Sequence, residues 1–436
     1  MEIKDREKYL FNKKCLLVLL YLYYINGIDY KDINFRSFGF HFDPKCDFKV
    51  IVNSKKDHVH KYIVHIYSSL SKVNLESLDI MGNVNFIKVK SLKNDDYYNP
   101  EASLNIYLDD SNFLALGFIE GKKIEYTLKS KESESFLGDD LLYYLNRNKK
   151  NNNESFIMFL LKLYTYRLNV DLVIGAGINV DYGVKDWKRL VDALNSTFYN
   201  NDVERINEIK HYVGSELFVN GKVLKTSGFD TYKELNNEIY LVNFNDENKK
   251  SFSTTETSLY ALVEYLESHK DTEVITYNYD TNLEYLLRKK EIIYNTIYDE
   301  FAFTSKDNSS INIYHVHGLL PYNKYNESRF VNSLIFNESD YYYLYNNPYS
   351  WNISKQLHDF TFKCCVFVGI SLTDPNMKRL LEVASNYLKF NFIFMKKEKG
   401  YKDSTLKDVT NYFFTYDLIT IWVDDYSEIN KWLSNI

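Results

Sequence analysis

The chain has 436 residues, 45% of them hydrophobic, with 40 Tyr and 29 Phe, enough to bury the cores of two or three domains. Its 53 basic and 59 acidic side chains leave a net charge of −6, which argues against a broad electrostatic footprint for nucleic acid. The four cysteines (Cys15, Cys46, Cys364 and Cys365) form no C-x-x-C pair, so neither a zinc ribbon nor a disulfide framework is expected and a reducing, cytoplasmic setting fits.

The first apolar run, 15–28, follows Lys13-Lys14 and has the outward look of a signal peptide. Acidic residues at Glu2, Asp5 and Glu7, and the lack of a small-residue cleavage site, argue instead for a buried helix. The run is also short for crossing a bilayer. Segments 48–52, 61–67, 102–108 and 113–119 are strand-like, so residues 1–145 are expected to form a separate α+β or β-rich domain. His58 and His60 are spaced like metal ligands but lack acidic or cysteine companions, and a solvated strand edge accounts for them. The stretch 146–154 (NRNKKNNNE) lacks apolar periodicity and is expected to be a linker or exposed loop.

From residue 155 the pattern changes to alternating helices and strands. A helix is expected over 155–168, a strand over 170–174, a helix over 187–199 and a helical or mixed insertion near 200–253. A helix over 257–268 and a strand over 273–277 follow. Further strands are expected at 311–316, 333–336, 364–368, 391–395 and 418–423, with a closing helix from Ser427. Asp374-Pro375 opens another helix, as an acidic N-cap followed by proline at the first helical position. Such alternation implies an α/β fold, a Rossmann-like doubly wound parallel sheet over 155–436, with ligands at the carboxyl ends of its strands.

Four stretches fall at those strand ends. The first, NVDLVIGAGINVDYGVKDWKRL at 169–190, runs a strand into Gly175-Ala176-Gly177 and then a helical segment. That is a phosphate cradle: the glycines let backbone approach an anion, and a helix start offers N–H groups. Val180 stands where a dinucleotide-dehydrogenase fingerprint has its third glycine, and the next glycine is Gly183. A longer loop is therefore expected, with Asn179 and Asp181 near a ribose or nicotinamide. The other three stretches are ITYNYDTNLE at 275–284, YHVHG at 314–318 and VGISLTDPN at 368–376. Together they bring an amide, a carboxylate and an imidazole, the groups needed to cleave an N-glycosidic bond to nicotinamide. His315 competes with His317 for the imidazole role, and Asp374 is accounted for as a helix cap.

In this order the four motifs resemble the sirtuin family, and more closely its bacterial sirtuin-like branch of anti-phage defence, over about residues 155–436. The resemblance implies that NAD is the substrate, that Asn278 and His317 are catalytic, and that Asp280 lies near nicotinamide. It places Gly175, Ala176, Gly177, Gly369 and Ser371 around the phosphates and adenosine ribose, with Asn179 where serine is usual. Deacylating sirtuins carry a four-cysteine zinc module after the HG motif. Residues 319–363 contain no cysteine, so no zinc is expected and water is the expected nucleophile in place of acyl-lysine. The implied activity is an NAD hydrolase, giving nicotinamide and ADP-ribose or a cyclised product. The resemblance adds a setting, abortive infection, with activation by homo-oligomerisation, a second defence protein or a phage-derived trigger, and no membrane. Two alternatives stand beside it: a sirtuin-type deacylase or ADP-ribosyltransferase, and a non-catalytic NAD or ADP-ribose sensor.

Overall fold

The structure, a computed structural model, describes residues 3–25, 27, 29–37, 48–53, 61–67, 83–88, 104–108, 112–119, 122–129, 155–182, 184–213, 231–240, 257–301, 310–384, 389–398 and 400–436. His58, His60, Gly183 and the 146–154 stretch lie outside them. Two compact units divide the chain: residues 1–167 with 386–390 and 400–419, and residues 168–385 with 391–399 and 420–436.

In the first unit, the apolar run at 15–28 falls largely within helix α1 (Ile3–Ile25), where Leu17, Leu20 and Leu22 are buried. No described helix is long and apolar enough to cross a membrane. Lys13 of α1 is also buried, 3.6 Å from the Asp417 carboxylate, as a buried ammonium requires. Strands β1 (Asn34–Ser37), β2 (Phe48–Asn53), β3 (Lys61–Tyr67), β4 (Asn83–Lys88), β5 (Leu104–Leu108), β6 (Asn112–Ile119) and β7 (Lys122–Lys129) form one sheet in chain order. The pairs β3–β4 and β4–β5 are parallel, and the remaining pairs are antiparallel. Helix α2 (Phe156–Arg167) is tied to the same unit where Arg167 Nε donates to the Ile33 carbonyl at 2.6 Å.

The second sheet has seven parallel strands. Their order is β10 (Tyr294–Ile297), β11 (Ile311–His315), β9 (Glu273–Thr276), β8 (Val170–Ile174), β12 (Cys364–Val368), β13 (Asn391–Lys396) and β14 (Leu418–Val423). Residues of β8 and β12 are buried throughout, which is why both run almost uninterruptedly apolar in sequence. From β8 the chain builds outward through β9, then returns to lay β12 on the other side of β8. The β8/β12 boundary is therefore the switch point of a Rossmann-like sheet, the place beyond the strand ends where such sheets bind ligands.

Helices α3 (Trp187–Phe198), α4 (Val203–Val213), α5 (Thr231–Ile239), α6 (Ser258–Ser268), α7 (Asn282–Lys289), α8 (Ser328–Val331), α9 (Glu338–Asn346), α10 (Trp351–Phe362), α11 (Pro375–Val383), α12 (Asp403–Phe414) and α13 (Glu428–Leu433) complete the described helices. Leu190 and Leu194 of α3 and Leu235 and Ile239 of α5 share an apolar cluster with Tyr279, Leu319 and Leu320. That cluster clamps the chain directly after Asn278 and shortly after His317.

Two sequence expectations need amending. Residues 333–336 are not a strand: Leu334, Ile335 and Phe336 are buried coil, held by Ile335 N–H donating to the His317 carbonyl (2.9 Å) and the Tyr279 hydroxyl donating to the Ile335 carbonyl (2.6 Å). Their apolarity serves the cluster beneath the site rather than a ladder. Strand β10 was not foreseen, because YNTI is short and only its last residue is buried.

At the opposite end of the sheet, Asp171, Glu273 and Asp359 bring carboxylate oxygens within 4.8 Å of one another. Lys355 Nζ sits 2.7 Å from Asp359 and 2.5 Å from Glu273, so a resident ammonium already balances part of the charge. Burial, and then the Asp359 charge, push Asp171 up to about 8. Its unfolded carboxyl titrates at about 3.9. The stability that Asp171 contributes is thus fully present below about pH 4 and is lost as pH rises to about 8. Asp171→Asn is expected to raise the melting temperature by a margin that widens across that window and levels off above it. A margin independent of pH would contradict the assignment.

Candidate functional site

Register places the four motifs at one level. His315 pairs with Thr276, Thr276 with Ile174, and Ile174 with Val368, forming a single row across β11, β9, β8 and β12. The residues just beyond the row are Val316, Tyr277, Gly175 and Gly369, so all four motifs leave the sheet together. Asn278 and His317 each lie two residues past the row on adjacent strands.

Gly175, Gly177 and Gly369 meet at the switch point. A Cβ on Gly177 would lie 2.7 Å from Gly369 Cα, and one on Gly175 would lie 2.8 Å from the Gly369 oxygen. The Gly175 amide donates to the Val368 carbonyl (3.1 Å) and the Gly177 amide to the Gly369 carbonyl (2.9 Å). This amends the sequence argument: these two amides join the turns after β8 and β12 instead of standing free for an anion. Glycine is required here by the close approach of two backbones. Gly177 and Ala176 belong to a 3-10 turn, Ala176–Tyr182, that precedes α3. Gly369 has φ +68 and Leu372 φ +53, so the turn carrying Ser371 includes a left-handed leucine, a local strain of the kind concentrated at functional loops. Ser371 is exposed, its hydroxyl 3.0 Å from that of Thr373.

Asn179 is buried in the site. Its Nδ2 donates to Asp280 Oδ2 at 2.8 Å, while its Oδ1 is buried with no partner among the described residues. An orphaned acceptor of this kind calls for a donor from a ligand, such as a carboxamide or a ribose hydroxyl. Asp181, expected beside it, turns away: its carboxylate faces the start of α6, 3.4 Å from the Ser258 amide. Burial pushes the Asp280 carboxyl up to about 6, with the Glu284 charge adding to the rise and the Asn282 amide and His315 opposing it. Asp280 therefore changes charge near neutral pH.

The histidines of HVHG separate cleanly. His315 is locked below the site, Nδ1 donating to the Asn278 carbonyl (2.9 Å) and Nε2 2.7 Å from Glu284 Oε1. Both ring nitrogens face acceptors, which favours the doubly protonated ring. Burial opposes the charge but is outweighed, chiefly by Glu284, and the His315 pKa rises. The stability from this pair is fully present below about pH 6.5 and is lost as pH rises through the raised value. Glu284→Gln should cost about 3 kcal/mol near pH 6, as breaking a buried pair does, and less at pH 9. Thermal unfolding at both pH values checks this; an equal cost at both would contradict it.

His317 is 5% exposed and lies edge-on to the rings of Tyr277 (4.7 Å) and Tyr341 (5.7 Å). Its Nε2 is 3.1 Å from Asp374 Oδ2, close enough for an ion pair although not aligned as a hydrogen bond. Asn278 anchors its amide on Thr276 Oγ1 (3.1 Å), and its carboxamide has no partner among the described residues. The structure thus brings Asn278, His317, Asn179, Asp280 and the three glycines to one end of the sheet. Residues that the sequence argument missed are Tyr277, Tyr341 and Glu284, together with the second face of Asp374. Only Glu284, one helical turn after Asp280 in ITYNYDTNLE, carried a local signal.

Comparison with protein-family models matches residues 272–414 to the SIR2-like domain, which supports a SIR2-like domain there. The match includes Asn278, His317, Gly369 and Asp374, and begins after the Gly175–Gly177 turn. SIR2-like domains use NAD, so the match suggests NAD-related activity in general. A search of curated proteins finds no match to the chain.

Proposed function

We propose that this SIR2-like domain hydrolyses NAD to nicotinamide and ADP-ribose. The observation that carries the reading is the pairing, at one level of the sheet, of an Asn278 carboxamide that has no partner among the described residues with an imidazole at His317. Asn278 orients a water molecule at the ribose carbon bonded to nicotinamide. His317 takes the proton from that water as its oxygen bonds to the carbon. The carbon–nitrogen bond breaks, and nicotinamide leaves with the electron pair. Asp280, when ionised, supports the positive charge that develops on the ribose. Asn179 Oδ1 accepts from the nicotinamide amide or a ribose hydroxyl, and the dinucleotide lies along the joined glycine turns, with Ala176 and Ser371 beside it.

The reading extends to a role as an NAD-depleting effector of anti-phage defence, whose basal turnover is raised by a partner, a trigger or oligomerisation. Against acyl transfer, the test is dependence on a second substrate. Purified chain is expected to consume NAD at the same rate with and without acetyl-lysine peptide; loss of NAD only when peptide is present would replace hydrolysis with deacylation.

A further inference from the structure

Capping explains only half of Asp374. Its Oδ1 accepts from the amides of Asn376 (2.7 Å) and Met377 (3.1 Å) at the start of α11. A serine or asparagine would serve that end equally well. The other oxygen, Oδ2, points the opposite way, 3.1 Å from His317 Nε2, and accepts from the Tyr341 hydroxyl at 3.2 Å. The side chains of His317 and Asp374 are only 7% and 12% exposed. A carboxylate held by two amides at a helix start and aimed at a buried imidazole has more than a structural use.

We propose that Asp374 and His317 form a carboxylate–imidazole dyad, with Asp374 as a positioning residue that orients the ring and stabilises the charge it gains on taking a proton. The inference rests on the hydrolase reading above. With Nε2 committed to Asp374, Nδ1 is the nitrogen that receives the proton from water; the imidazolium persists beside the carboxylate until nicotinamide and ADP-ribose leave, then returns the proton to solvent. Tightening of the 3.1 Å contact accompanies substrate binding, as with many catalytic hydrogen bonds that are misaligned without substrate. Burial pushes the Asp374 carboxyl up, but His317 and the Met377 and Asn376 amides outweigh it and hold it below the usual carboxylate range. Tyr277, Tyr279 and Tyr341, the other titratable groups around it, are held well above the usual phenol range by burial and stay neutral.

Asp374→Asn and Asp374→Ser keep the cap and remove the charge. Both are expected to lower kcat for NAD by about 100-fold, the lower end of what a positioned general base contributes. KM should stay within about twofold, the melting temperature within about 2 °C, and the acid limb of the pH–rate profile should move to lower pH. Wild-type kcat and an unmoved profile in both variants, with His317→Ala inactive, would overturn the dyad and leave the hydrolase standing. Full activity in His317→Ala would overturn the hydrolase site and the dyad with it. A second measurement requires no turnover: histidine-selective 15N NMR, with the His317 signal identified by its loss in His317→Ala. In the wild-type protein the His317 proton is expected on Nε2, facing Asp374, and that tautomer preference is expected to be lost in Asp374→Asn; an unchanged tautomer balance would overturn the dyad.

Discussion

His317→Ala is expected to lower NAD turnover by at least about 10²-fold while leaving KM nearly unchanged, because the imidazole acts on the proton in flight and not on the bound dinucleotide. Asn278→Ala should behave alike, since its carboxamide has no partner among the described residues and its loss leaves no broken bond in the fold. His315→Ala is the informative contrast. That ring joins the Asn278 carbonyl to Glu284 inside the protein, so its removal leaves a buried carboxylate unpaired. The penalty, about 3–5 kcal/mol, should appear first in the melting temperature. Steady-state kinetics and thermal unfolding of the three variants test the pattern. Equal loss of stability in His317→Ala and His315→Ala, or full turnover in either Asn278→Ala or His317→Ala, would contradict the division of roles.

Gly318→Ala is the second large effect. Gly318 has φ +89, and a Cβ there would lie 2.2 Å from the Ser333 carbonyl oxygen, a backbone atom that cannot swing aside. Left-handed strain and overpacking together are expected to cost on the order of 2–4 kcal/mol. The damage has a direction. Ser333 leads into Ile335, whose amide donates to the His317 carbonyl, so pushing this segment away shifts His317 before the sheet itself yields. Gly400→Ala is the control: φ is +93 but nothing lies within 4 Å of the added carbon, leaving only the backbone term of about 1 kcal/mol. Comparable melting temperatures for the two variants would show that the Ser333 contact is not rigid.

How much of this was legible in the sequence differs between backbone and side chains. The apolar runs of β8 and β12, the glycine turns that follow them and the Asp374-Pro375 cap are local signals, and local signals survive folding. The use made of Gly175 and Gly177 was not legible, because the partner backbone at Gly369 is nearly 200 residues away in sequence. The choice between His315 and His317 had the same character: strand alternation alone would put positions two apart on one face, whereas the chain turns after His315, and which ring then meets Glu284 is a tertiary fact. Residues 333–336 misled because an apolar run reports burial without saying whether a ladder exists. The second oxygen of Asp374 was hidden by the adequacy of the first: one sequence signature, the helix cap, satisfied the residue completely until His317 was seen beside it.

The central claim is that water attacks NAD at this site, and oxygen labelling tests it most directly. Purified chain incubated with NAD in 18O-enriched water is expected to release nicotinamide and ADP-ribose in equal amounts, the ADP-ribose carrying one solvent oxygen at the ribose carbon. The His317→Ala variant should release neither above background. Nicotinamide appearing while the ADP-ribose is recovered on protein or as an acyl ester, or ADP-ribose without the solvent label, would contradict the account.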